Sequence, residues 1–216
     1  MFVIPTTTGG MVGRTSDGRT AGKMADWTNL RYVVVDVEGN GQQPPDLVEL
    51  AAVPIVGGVI REPMSWLVKP PRPIEYFATR IHGLTNNDVD DAPSFAAISG
   101  QVLHSLNSPA LVAHNAHVDV GVLQRHLGEW ECPEVFDTLK LAKRLVPNQM
   151  SYKLGSLVEA FKLAEGLPEG LSPHRATYDA LVAARLFVLL ATKAVALEKL
   201  RGQNSGGGKD EAPTLF

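Results

Sequence analysis

Tyr32-Val33-Val34-Val35-Asp36-Val37-Glu38-Gly39 is the stretch that decides the fold. It opens on four consecutive apolar residues, three of them β-branched, with no alternation of polar and apolar positions. Such a run predicts a short strand buried on both faces of a sheet. Two acids then interrupt it. Asp36 and Glu38 stand two residues apart, so both carboxylates leave the same face of that strand.

Working outward, Leu47–Val56 and Val59–Val68 read as two more strands, joined by Gly57-Gly58, a strong hairpin signal. The second strand therefore runs antiparallel to the third. Phe95, Ile98, Val102 and Leu106 recur at helical spacing after Asp91 and Pro93. Ala110–Ala113 is another buried strand, and Val122, Leu123 and Leu127 mark the helix after it. Val135-Phe136 predicts a fifth strand. Leu154, Leu157, Val158 and Phe161 stripe one helix, and a last long helix runs from about Arg175 to Leu200. The order predicts an α/β domain: a central mixed five-stranded sheet with one antiparallel strand, flanked by helices. Residues 29–200 form it. Residues 1–28, rich in Thr and Gly, read as a disordered extension with Met24 as an alternative start, and 201–216 as a flexible tail.

Composition excludes several classes. The 216 residues carry 20 Lys and Arg against 23 Asp and Glu, a net charge of -3, so this is no polybasic coat for nucleic acid or anionic lipid. The lone Cys132 rules out a disulfide framework and a cysteine-built zinc finger. The longest apolar stretch, Leu181 to Leu197, is interrupted by Arg185 and Lys193 and reads as a buried helix rather than a membrane span. With no export signal in view, the expectation is a soluble protein of the reducing cytoplasm.

The chemistry lies in acids placed where apolar residues belong. Asp179 is in line with Ala183, Leu186 and Leu190 on the last helix, so its carboxylate points toward the sheet. Asp119 heads the stripe of Val122 and Leu123 just after a buried strand; taken alone it also suits a first-turn acid. Four acids aimed at one core lose hydration and repel one another, and no matching set of buried Lys or Arg is evident in these segments. Hard divalent cations such as Mg²⁺ resolve the conflict, because they take oxygen ligands, and two of them neutralise four carboxylates. His174, five residues before Asp179 and outside the regular helix, suits a general base.

Three segments now carry a family resemblance: Val34-Val35-Asp36-Val37-Glu38, Ala113-His114-Asn115-Ala116-His117-Val118-Asp119, and His174-Arg175-Ala176-Thr177-Tyr178-Asp179-Ala180. Together they resemble the three motifs of the DEDDh 3′→5′ exonucleases, the group of the polymerase III epsilon proofreading subunit, RNase T and oligoribonuclease. The third pattern, H-x-A-x-x-D-A, arises by chance about once in a thousand sequences of this length at average usage. Arg80-Ile81-His82-Gly83-Leu84-Thr85 and Phe136-Asp137-Thr138-Leu139 are similar to further family segments. The resemblance implies a ribonuclease H-like fold, with Asp36, Glu38, Asp119 and Asp179 binding two Mg²⁺ or Mn²⁺ ions and His174 as general base. It also implies substrate contacts from Val37, Gly39, His82 and Asn115. The implied activity is removal of nucleoside 5′-monophosphates from single-stranded 3′ ends, with DNA proofreading or repair favoured. An RNA-processing exoribonuclease and a non-catalytic polymerase or clamp accessory are the alternatives. Many members read Asp-Thr-Glu-Thr-x-Gly in the first motif; here Gly39 follows Glu38, which removes a side chain from that position.

Weaker features complete the reading. His114 and His117 suggest a zinc pair but lack a third ligand nearby. Trp66, Tyr76 and Phe77 can stack bases but read first as core or hairpin residues, with Lys69, Arg72 and Arg80 around them as phosphate contacts. The terminal Leu215-Phe216 is similar to peptides that enter the bacterial sliding clamp, and the apolar last helix leaves room for a homodimer.

Overall fold

The structure, a computed structural model, describes residues 26–202. Six strands form one sheet: β1 Tyr32–Gly39, β2 Leu47–Val56, β3 Val59–Ile60, β4 Met64–Leu67, β5 Ala110–Ala113 and β6 Glu134–Asp137. They lie in the order β3-β2-β1-β5-β6, with β4 also paired to β2. β5 runs parallel to β1 and to β6, whereas β2 is antiparallel to β1, β3 and β4, as the Gly57-Gly58 hairpin requires. The helices are α1 Tyr76–His82, α2 Phe95–Ser105, α3 His117–Leu127, α4 Thr138–Leu145, α5 Leu154–Phe161, α6 Ala176–Ala194 and α7 Leu197–Arg201.

The sheet has six strands rather than the expected five, because the segment 59–68 is not one strand. Pairing runs Ile55↔Ile60 in β3 but Ala52↔Met64 in β4, so two residues of β2 face three residues, Arg61 to Pro63. That is a bulge, and Pro63 has no N–H to keep the ladder going. The last helix also differs from expectation. It stops at Ala194, Val195 turns into the left-handed region at φ 68°, and Ala196 bridges back to Asp26. Leu197 and Leu200 of α7 then fold into the core beside Trp27. Trp27 is itself buried against Phe187, so the described fold takes in the end of the segment read as a disordered extension. Met24 and Leu215-Phe216 lie outside the described residues.

Two apolar layers sandwich the sheet. Tyr32 and Val34 point to one side and pack with Leu186, Phe187 and Leu190 of α6. Val33 and Val35 point to the other and meet Ile98 and Val102 of α2 and Val122 and Leu123 of α3. Each such side chain contributes about 1.5–3 kcal/mol on burial. The apolar surface of α6 is covered by β1, β2, α4 and α5 of the same chain, so the feature that suggested a dimer is accounted for within one molecule. Among the described residues, no helix is long and apolar enough to cross a membrane.

Candidate active site

The β1–β5 ladder ends at Val34↔Val112, while β1 continues to Gly39 alongside β2 only. Past that point the edge of β1 that β5 had covered is open. The N–H of Val37 falls in this opening, and the Asp119 carboxylate accepts from it at 3.1 Å. Asp119 thus arrives from α3, on one face of the sheet, where it is 5% exposed. Asp36 and Glu38 project from the opposite face, the side of Val34 and α6, and there they meet Asp179. Carboxylate oxygens of Asp36, Glu38 and Asp179 all lie within 4.8 Å of one another, and among the described residues this is the one such cluster of potential metal ligands. Asp119 stands beside it rather than in it.

Electrostatics agree with the geometry. Burial raises the Asp36 carboxyl well above its ordinary range, reinforced by Asp119, Asp179 and Glu38. Burial and the neighbouring Asp179 push Glu38 up to about 8. Burial also lifts Asp179 to about 6, against the opposing pull of His174. Asp119 rises to about 7 through burial, although hydrogen bonds from backbone N–H groups hold it down. An all-oxygen donor set, crowded and poorly hydrated, fits a hard divalent cation: bound positive charge would remove the repulsion that these shifts record.

His174 occupies the turn before α6 with φ 60°, a left-handed conformation uncommon for a non-glycine residue, and its N–H donates to Asp179 Oδ2 at 3.2 Å. The imidazole is exposed and lines a cleft of about 1060 Å³ with Asp36, Asn115, Lys143, Lys153 and Asp179. Asn115, also left-handed at φ 65°, donates its N–H to Asp137 Oδ1 at 3.1 Å.

Two residues that the sequence reading missed complete the site. Glu49 of β2 stands directly across from Glu38 in the strand register and is 4% exposed. It accepts from Arg175 Nη2 at 2.7 Å, Arg175 Nε at 3.0 Å and the Ala176 N–H at 2.9 Å. Arg175 is thus committed to Glu49 rather than to the four acids, and it staples the His174 turn to β2. The available signal was Glu49 in an otherwise apolar strand, the same anomaly that marked Asp36.

Other expectations fare differently. His82 is buried; Leu84 N–H donates to its Nδ1 at 3.1 Å, which leaves Nε2 to donate to Gly39 O at 3.2 Å. Its Nε2 secures the turn after Glu38, while its Nδ1 holds the chain leaving α1. His114 is held between Thr138 Oγ1 and Tyr152 O, while His117 is exposed at the start of α3, so the two make no zinc site. Tyr76 and Phe77 are neither core nor hairpin residues but exposed positions on α1. Lys69 and Arg72 are tied to Asp90 and Asp46 at 2.6 and 2.7 Å.

Comparison with known proteins agrees with this geometry. Residues 33–187 match the exonuclease family typified by RNase T. The chain is 40% identical over 155 residues to exodeoxyribonuclease 10 of Escherichia coli strain K12, covering 72% of this chain and 66% of that protein. It is 34% identical over 178 residues to the 3′-5′ exonuclease DinG of Bacillus subtilis, but these cover only 18% of that longer protein. Among solved structures, exonuclease X in complex with 5′ overhanging duplex DNA superposes with a TM-score of 0.63 at 37% identity, over 74% of this chain and 91% of that one. With three acids brought together from β1 and α6, a fourth beside them from α3 and a histidine five residues before the last, the chain belongs to the DEDDh exonuclease family of ribonuclease H-like fold.

Proposed function

We propose that this protein is a 3′→5′ exonuclease that trims single-stranded DNA ends in cytoplasmic DNA repair or proofreading. The convergence of Asp36, Glu38 and Asp179 within 4.8 Å, beside His174, is the observation that carries the reading. Asp36, Glu38, Asp179 and the adjacent Asp119 would hold two Mg²⁺ or Mn²⁺ ions, which when bound supply Lewis acidity at the scissile phosphate. His174 accepts the proton of the attacking water. As the new O–P bond forms, the bond from phosphorus to O3′ of the shortened strand breaks, that oxygen takes a proton, and a nucleoside 5′-monophosphate leaves. Val37 and Gly39 offer backbone atoms, and Asn115 its side chain, to the terminal nucleotide. His82 acts at one remove, by fixing Gly39. DNA is favoured because the similar proteins are an exodeoxyribonuclease and an exonuclease seen with duplex DNA. The Leu215-Phe216 terminus is proposed as a sliding-clamp contact, and clamp affinity unchanged by deleting residues 212–216 would dismiss it.

The test uses 5′-labelled single-stranded DNA and RNA of one sequence, each incubated with Mg²⁺ or with EDTA. A metal-dependent ladder that shortens from the 3′ end, faster on DNA, is expected. A faster RNA ladder would move the reading to RNA processing. No ladder from folded protein would leave a non-catalytic accessory.

A further inference from the structure

We propose that Glu49 and Arg175 are positioning residues for the hydrolysis: together they hold His174 where its imidazole takes the proton of the attacking water. The proposal rests on the exonuclease reading and deepens it, by naming what fixes the base.

The His174 imidazole is exposed, and among the described residues it makes no hydrogen bond, so its place is set by the backbone that carries it. That backbone is itself unusual. At φ 60° it occupies a region sparsely populated by non-glycine residues, which persists only where surrounding structure enforces it. Little enforces it from upstream. Of residues 165–173 only Leu167 and Leu171 are partly buried, the rest are exposed, and Gly166 and Gly170 carry left-handed backbone of their own. Two anchors lie downstream. The His174 N–H donates to Asp179 Oδ2 at 3.2 Å, but Asp179 belongs to the acidic cluster, so the turn and a bound cation would draw on one carboxylate.

Glu49 has no such second duty. It lies outside that cluster, and both its oxygens are taken up by the turn. Oε1 accepts from Arg175 Nη2 at 2.7 Å, and Oε2 from Arg175 Nε at 3.0 Å and from the Ala176 N–H at 2.9 Å. The guanidinium meets the carboxylate as a two-pronged fork, which fixes orientation as well as distance. The bond from Ala176 adds to this, because Arg175 stands at the N-cap of α6 and its side chain makes no cap. Glu49 satisfies that helix end from another strand. Its own position is firm: 4% exposed, it is paired with Glu38 on one side and Leu67 on the other. The base is thus referred to the strand beside the one that carries Asp36 and Glu38, and base and acids share one frame. Misplacement of a reacting group by about 1 Å costs on the order of 10²-fold in rate, so this shared frame bears on turnover.

The test compares Arg175→Ala with the wild type on single-stranded DNA in Mn²⁺. The variant should lose about 10- to 100-fold in kcat, while KM, and Mn²⁺ affinity by titration calorimetry, stay within about threefold. Guanidinium ion at about 20 mM, far below denaturing concentrations, should recover about fivefold or more of the lost rate by entering the vacated place. A loss caused by instability would instead deepen. In a His174→Ala background the same substitution should cost nothing further, because residues that act through one another are not additive. A kcat within about twofold of the wild type overturns the proposal. So does a full further loss on top of His174→Ala, a fall in Mn²⁺ affinity as large as the fall in kcat, or a rate that only drops as guanidinium is added. If Arg175→Ala does not fold, Glu49→Gln leaves no unpaired charge in the sheet and carries the same comparison of kcat, KM and the His174→Ala background; a wild-type kcat there overturns the proposal equally. A folded wild type that cleaves no DNA removes the exonuclease reading, whereas normal cleavage with an unaffected variant removes only the positioning pair.

Discussion

Replacing Asp36 with Asn should destroy activity while making the metal-free protein more stable. Asn keeps the size of the side chain and removes one negative charge from a cluster whose oxygens lie within 4.8 Å of one another. At that separation each ionised pair repels by about 3.5 kcal/mol at an effective dielectric of about 20. Burial, and then Asp119, Asp179 and Glu38, raise the Asp36 carboxyl, which favours its neutral form. Either form costs the folded protein: ionised, Asp36 repels its two neighbours, and protonated, it holds a proton that the unfolded chain gives up at about pH 4. Solvent and local relaxation screen more than half of the two pair repulsions, so Asp36→Asn should gain about 2–3 kcal/mol in EDTA at pH 8. For a domain of this size the melting temperature should rise by about 4–12 °C. At pH 5 the proton costs far less to hold, and the gain should fall to about 1 kcal/mol. Thermal melts in EDTA at the two pH values and a nuclease assay in Mg²⁺ are the measurements, with a loss of turnover on the order of 10³-fold or more expected. A variant that melts below the wild type at pH 8, or that still degrades DNA, would refute the shared carboxylate site.

The wild type carries a related pH signature. The folded-state values of Asp179 and Glu38, about 6 and about 8, lie above those of free carboxyls, so the unfolded chain binds fewer protons than the folded one between about pH 4 and 8. Stability in EDTA should fall as pH rises through that window, and Mg²⁺ or Mn²⁺ should restore it at the alkaline end; melting that climbs with pH in EDTA would contradict the shifts. His174→Ala should cut turnover by on the order of 10²–10⁴-fold while Mn²⁺ affinity, read by titration calorimetry, stays nearly normal, and unchanged kinetics would point to a different base. Glu49→Ala removes three hydrogen bonds and the partner of a half-exposed Arg175, at a cost of about 2–4 kcal/mol by thermal melting. A melting point within 1 °C of the wild type would show that the staple between β2 and the His174 turn contributes nothing.

Parts of this architecture could be read locally and parts could not. β1 declares itself because four apolar residues and two same-face acids sit in one stretch, and Asp179 declares itself because Ala183, Leu186 and Leu190 define the face it shares. The bulge at Arg61–Pro63 was hidden because its origin is a register against β2, and strand pairing is not written in a single segment. α1 escaped for the opposite reason. Its apolar residues point outward, so the usual link between hydrophobic spacing and a buried helix face is inverted there. The pairing of Arg175 with Glu49 could not be read locally, since the two are 126 residues apart.

The position of Asp119 explains why four acids can be gathered without all sitting in one pocket. Had β5 stayed paired with β1 up to Gly39, the Val37 N–H would have been used in the ladder and the edge of β1 closed. Ending the ladder at Val34↔Val112 frees that amide and lets α3 send a carboxylate past the strand edge from the opposite face of the sheet. The same amide restrains Asp119, so the acid is held in place without a bound ion. Asp179 is restrained in the same way by the His174 N–H, and the mutual repulsion of Asp36, Glu38 and Asp179 is what a bound cation would relieve. The early parting of β1 and β5 therefore both opens the cleft and sets Asp119, tethered from the opposite face of the sheet, beside the three acids whose repulsion awaits charge compensation.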